Sequence, residues 1–219
     1  MFNSTIIRIF IIILFFFFGY NITFIIIRKR KNKHNGNSNN RNIKSTSRFG
    51  KLAKVGIIIL NVFITLVCLN IFFYEKVFRK YIPQIQFGFL SEPLQIIGLI
   101  LAFTGNVTLN ISYRELGVYW EYPIDGKRKK QKLITTGIYS RIRHPIYLSF
   151  YLISIGFWLI LFDVVLLILL LIGGIGLYLQ ALEEEKLLLA IFGDIYKTYQ
   201  RSTGRFFAKV QHNESSSSQ

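Results

Sequence analysis

Residues 146–182 read IYLSFYLISIGFWLILFDVVLLILLLIGGIGLYLQAL, an apolar run of 37 residues with one charge, Asp163. At a rise of ~1.5 Å per residue, a single straight helix of that length would far overshoot a hydrocarbon layer of ~30 Å. Two helices of half the length fit the layer, so the run is expected to be a hairpin turning near Asp163. Three further segments, residues 5–27, 55–74 and 93–111, each hold about the ~20 apolar residues one crossing needs. The expected architecture is therefore an all-α polytopic membrane bundle of five transmembrane helices. A cleavable signal peptide would compete for the first segment, but the residues before it are not basic and no small-residue cleavage site follows. It is read as a retained helix.

The whole chain fits this picture. Of its 219 residues 52% are hydrophobic, yet 27 Lys+Arg against 11 Asp+Glu give a net charge of +16. Such an apolar and basic chain does not suit a soluble globule, and the two excesses alternate along it. Lys and Arg number 10 in residues 28–54, three in 75–92, eight in 112–144, none around Asp163 and five after Leu182. Rich and poor loops alternate as the positive-inside rule requires, with the N-terminus outside and the C-terminus in the cytosol. The charge thus reads as topogenic and not as a nucleic-acid-binding face, which would need base-reading or stacking side chains on a folded surface. The Lys/Asn/Ser-rich residues 28–48 read as a disordered loop.

Three regions follow: N-terminal membrane helices with a basic loop (1–92), a core of third helix, cytosolic loop, hairpin and C-terminal helix (93–209), and a disordered tail (210–219). Cys68 stands alone inside an apolar run, and the three histidines form no cluster, so neither a disulfide framework nor a metal site is expected.

Polar sequence next to the hairpin concentrates in 112–147 and 183–209, both assigned to the cytosolic side. The first holds Arg114-Glu115-Leu116-Gly117 and, further on, Leu133-Ile134-Thr135-Thr136-Gly137-Ile138-Tyr139 and Arg143-His144-Pro145-Ile146-Tyr147. Pro145 suits the first turn of a helix, which puts His144 at or near the N-cap. The free N–H groups and dipole of that terminus favour an anionic group, beside which His144 fits best as a neutral hydrogen-bonding side chain. A pair that merely snorkels at a helix end is the plainer alternative. Against it stand the flanking Tyr139 and Tyr147, and a carboxylate run, Glu183-Glu184-Glu185, where the hairpin returns to the cytosol. Three acids at the C-terminal end of a membrane helix oppose its dipole and call for compensation.

In this order and spacing, the Leu-Ile-Thr-x-Gly-x-Tyr, Arg-His-Pro-x-Tyr, Glu-Glu-x-x-Leu and Phe192-Gly193-x-x-Tyr196-x-x-Tyr199 elements make the chain resemble the isoprenylcysteine carboxyl methyltransferase and phospholipid methyltransferase family of integral-membrane enzymes. The resemblance covers residues 114–206. It implies a cytosol-facing site for S-adenosylmethionine lined by Gln131, Leu133, Ile134, Tyr139, His144, Pro145, Ile146, Tyr147 and Glu184, and a lipid or prenylated acceptor reached from the bilayer. Gln180 stands where the isoprenylcysteine enzymes carry a substrate-binding Arg, so Arg143, Arg201 and Arg205 become the candidates to orient a carboxylate, Arg205 first. For a phosphatidylethanolamine amine, Glu185 or His144 would serve as base; a small thiol is a third acceptor. The rival classes are an NADPH-dependent sterol-type reductase and a non-enzymatic membrane scaffold whose basic loops grip headgroups.

Overall fold

A computed structural model describes residues 9–20, 23, 27, 48–73, 79–117 and 132–209. Its regular elements are helical: α1 (Ile9–Tyr20), α2 (Arg48–Phe73), the single turn α3 (Arg79–Tyr81), α4 (Ser91–Leu116), α5 (Pro145–Leu161), α6 (Val164–Phe192) and α7 (Asp194–Ser202), with 3-10 turns at Gly88–Leu90 and Gly137–Ser140. The all-α expectation holds for these residues. Two helices, Gly88–Leu116 and Val164–Phe192, are long and apolar enough to cross a membrane. Residues 28–47 of the basic loop, the spacer 118–131 that includes Gln131, and the tail 210–219 lie outside the described residues.

The apolar run breaks where its charge stands. Phe162 takes a left-handed φ of 55°, and Asp163 caps α6, its carboxylate accepting the Leu166 N–H at 3.0 Å. Residues 83–87 cover this tip: Ile85 N–H donates to Phe162 O (2.9 Å), Val164 N–H to Pro83 O (3.1 Å), and the Phe87 and Phe162 ring centroids lie 4.9 Å apart. Without water to compete for backbone groups, a buried turn of this kind must have its N–H and C=O groups satisfied by neighbouring chain. Beyond Leu182, where the apolar run ends, α6 continues unbroken through the three glutamates to Phe192. Gly193, at φ 54°, then ends it and starts α7.

The hairpin's arms pack mainly on other helices: α5 on α4, and α6 on α2. Lipid removes the hydrophobic drive between helices, so close approach comes from small residues. A Cβ on Gly176 would lie 2.2 Å from Gly56 Cα, and one on Gly156 2.6 Å from both Ala102 N and Gly98 O. Gly98, Ala102 and Gly105, spaced i, i+4 and i+7, form the stripe on α4 that receives α5. α1 adds Ile11, Leu14 and Phe18 to the same core, its Phe17 facing Phe103 and its Phe18 facing Phe150. These pairings bring the ends of α4, α5, α6 and α7 to one side.

Candidate active site

The site starts from a turn pinned to α4. Glu115 accepts the Ile138 N–H at 2.6 Å, and Gly137 sits against that carboxylate at φ 57°, where any Cβ would overlap it. The turn holds Tyr139, which is buried; its carbonyl accepts the Tyr199 hydroxyl at 2.7 Å. Burial pushes both phenols up, that of Tyr199 to about 12, so they act as neutral donors. Residues 141–144 then run parallel to the segment after α7: Gly204 N–H donates to Arg141 O (3.1 Å), Arg143 N–H to Gly204 O (2.9 Å) and His144 N–H to Arg205 O (3.0 Å). This short ladder sets Arg143, His144 and Arg205 side by side. As the sequence implies, His144 is the N-cap of α5 and Pro145 its first residue; no side chain caps the terminus.

Glu185 of α6 meets them. Its Oε1 accepts Arg143 Nε (3.0 Å) and Arg205 Nε (3.0 Å), and its Oε2 accepts Arg205 Nη2 (2.7 Å). Burial alone would raise this carboxyl, but His144 and the two guanidinium groups outweigh it and hold Glu185 well below the ordinary carboxylate range. Arg143 also donates to the carbonyls of Gln200 and Thr203, fastening the end of α7 to the start of α5. The guanidinium groups thus compensate a carboxylate buried within α6, about two turns before the helix ends at Phe192.

His144 is 5% exposed and lies between the two glutamates, Nδ1 3.7 Å from Glu184 and Nε2 3.3 Å from Glu185. The second distance is one of ionic proximity only, since Nε2 is buried without a hydrogen bond. The His144 ring stacks on Tyr147 at 5.4 Å, and the Tyr147 hydroxyl donates to Glu184. Burial pushes the Glu184 carboxyl up against the opposing pull of His144, Tyr147 and Gln180. The arrangement offers a bare helix terminus for an anion, a buried imidazole edge, and a carboxylate able to accept from a cation or hydroxyls.

Of the residues singled out in the sequence, Arg143, His144, Pro145, Tyr147, Gln180, Glu184, Glu185 and Arg205 come together here. Leu133 and Ile134 are half-buried ahead of the Tyr139 turn, and Ile146 is half-buried in the first turn of α5. Arg201 is exposed on α7, and no contact of its side chain joins it to the cluster. Sequence reasoning passed over three participants. Glu115 sits in the Arg-Glu-Leu-Gly run and organises the turn. Phe206 packs on His144, Tyr151 and Tyr178. Tyr178 accepts from Arg205, and its spacing of seven before Glu185 could have shown that both share a helix face.

Residues 94–195 match the phospholipid methyltransferase family. The chain is also similar to three proteins named protein-S-isoprenylcysteine O-methyltransferase. The one from Xenopus laevis is 28% identical over 120 residues, covering 53% of this chain and 42% of that protein. Those from Schizosaccharomyces pombe and Saccharomyces cerevisiae are 26% and 28% identical over 121 residues, covering 54% of this chain and 51% of each. The chain thus spans about half or less of the length of the curated relatives it matches. With its ordered motifs, its helix-capping His-Pro and its paired glutamates, the chain is similar over residues 94–195 to the phospholipid methyltransferase family.

Proposed function

We propose that the protein is an integral-membrane, S-adenosylmethionine-dependent methyltransferase that esterifies the carboxylate of an isoprenylcysteine-like acceptor. Five helices cross the bilayer, with the N-terminus outside and the site on the cytosolic side. S-adenosylmethionine, when bound, supplies a methyl group on a sulfonium centre. The residues present fit it: the uncapped N-terminus of α5 suits the methionine carboxylate, the orphaned edge of His144 awaits a polar partner, and Glu184 suits the amino group or ribose hydroxyls. The similar proteins, named O-methyltransferases, support a methyl-transfer role.

The commitment of Glu185 carries the choice of acceptor. Both its oxygens are held by guanidinium groups, and Glu184 accepts from Tyr147, so neither is placed to strip a proton from an ammonium group. A carboxylate acceptor is already ionised near pH 7 and needs no base. Its oxygen forms the new O–CH3 bond as the methyl–sulfur bond breaks and that electron pair leaves with sulfur. Anion and cation become neutral ester and neutral thioether, and no proton moves. The protein's share is to align the two partners and keep water out, which burial of His144, Tyr139 and Tyr147 supports.

The test is calorimetry on the detergent-purified protein with S-adenosylhomocysteine and, separately, NADPH. Binding of the former with low-micromolar or better affinity is expected, weakened about tenfold or more by His144→Ala and by Glu184→Gln through loss of a hydrogen bond to a charged group. A parent protein that binds NADPH and not S-adenosylhomocysteine would sink the reading. Transfer of labelled methyl to phosphatidylethanolamine or a small thiol, with none to farnesylcysteine, would move the acceptor assignment.

A further inference from the structure

Arg205 has a second partner besides Glu185. Its Nη1 donates to the Tyr178 hydroxyl at 3.1 Å, and its Cζ lies 5.4 Å from the Tyr178 ring centroid. Tyr178 is seven residues before Glu185, so the guanidinium bridges two turns along one face of α6. The same face runs back into the apolar part of the helix through Ile175 and Leu171, which are 63% and 60% exposed. An exposed apolar stripe thus leads to a cation that is itself 28% exposed. Tyrosines at a membrane boundary commonly send the hydroxyl to water. This one is turned onto the arginine that the site's own carboxylate holds.

The donor count shows what remains. Guanidinium has five N–H donors; among the described residues Glu185 takes two and Tyr178 one, which leaves one on Nη1 and one on Nη2. The Tyr178 hydroxyl accepts from Arg205, so its own proton is available to donate. Three donors therefore converge beside an exposed apolar stripe. Phe206 links this place to the cofactor end, its ring lying 6.3 Å from Tyr178 and 6.2 Å from His144.

The geometry points to Tyr178 and Arg205 as the port that receives the acceptor: the prenylcysteine carboxylate takes the two remaining Arg205 N–H groups and the Tyr178 O–H, while its prenyl chain lies along Ile175 and Leu171. The inference rests on the carboxylate-methylating function proposed above and adds Tyr178 to it as a binding and specificity residue. Charge complementarity argues for an anionic occupant, since the uncommitted groups of Arg205 and Tyr178 are all donors.

The experiment uses the full chain in phosphatidylcholine vesicles, with labelled methyl donor and farnesylcysteine as acceptor. For Tyr178→Phe, the ring stays and the hydroxyl goes. The KM for farnesylcysteine is expected to rise about tenfold or more, with the KM for S-adenosylmethionine and the calorimetric affinity for S-adenosylhomocysteine unchanged. The unchanged affinity also shows that the variant is folded. Ile175→Ser should raise the acceptor KM as well, and more for geranylgeranyl- than for acetyl-capped short-chain analogues. A Tyr178→Phe enzyme with the parent's acceptor KM overturns the port while leaving the methyltransferase reading intact. A parent that binds S-adenosylhomocysteine but never methylates farnesylcysteine overturns the acceptor assignment and the port together. Competitive inhibition of the parent by added phosphatidylserine, lost in Tyr178→Phe, would reassign the port to an anionic headgroup and also overturn the inference.

Discussion

Replacing Glu185 by Gln keeps the shape of the side chain and removes the charge that Arg143 and Arg205 share. The Arg143 side chain is 8% exposed and Glu185 7%, so this half of the hub is a buried pair. Breaking such a pair by removing one partner costs about 3–5 kcal/mol, because a buried cation is left uncompensated. The Arg205 half is partly exposed, at 28%, and solvent screening limits it to about 1 kcal/mol or less. A total of about 3–6 kcal/mol follows. At ~2–4 °C per kcal/mol for a chain of this size, Tm should fall by about 6–24 °C, read by intrinsic fluorescence of the detergent-solubilised protein. Because the cost lies in the orphaned charge, adding Arg143→Met to Glu185→Gln should recover part of the loss. The pH dependence has a definite sign. Glu185 is depressed in the folded protein, so its stabilisation is complete above the unfolded value of about 4.5 and is lost as pH falls through the lower folded value. The gap in Tm between parent and variant should stay constant from pH 5 to pH 8 and close only in acid. A fall in Tm below about 2 °C, or a double variant as unstable as the sum of its singles, would refute the description of Glu185 as a buried ionic anchor.

Substitutions at two further positions probe the frame. Gly176→Ala should lower Tm by several degrees, since overpacking costs about 1–3 kcal/mol and its Cβ would collide with Gly56 Cα; Gly176→Leu should abolish a monodisperse peak in size-exclusion chromatography. Asp163→Ala removes the cap on Leu166 N–H at the far end of α5 from His144. It should cost about 0.5–2 kcal/mol in thermal unfolding and leave S-adenosylhomocysteine affinity unchanged; a change in that affinity would refute the separation of tip and site.

Local chemistry made some features legible in the sequence. Proline's missing N–H and fixed φ announce the start of α5 at Arg143-His144-Pro145. A lone carboxylate in 37 apolar residues has few stable places other than a turn or cap, and Asp163 takes both. The small-residue rhythm of Gly98, Ala102 and Gly105, which the reading of the sequence passed over, could have marked a contact face. Its partner is not marked, because in lipid every apolar helix face has the same affinity for hydrocarbon and only the fit of backbone to backbone selects α5 over α6. The ladder between residues 141–144 and 203–205 was likewise illegible, since two irregular segments some 60 positions apart carry no periodicity.

That ladder changes what the charges mean. In the sequence, Arg143, Arg201 and Arg205 are three candidate cations near a carboxylate run, Arg205 the first of them. In the fold Arg143 is buried, its Nε on Glu185 and its Nη1 on the carbonyls that end α7, while Arg201 is exposed. Arg205 alone among the three combines a place in the cluster with partial exposure and uncommitted donors. The pairing of Arg143 with a buried carboxylate and with the carbonyls after α7 is why the proposed acceptor port is built on Arg205.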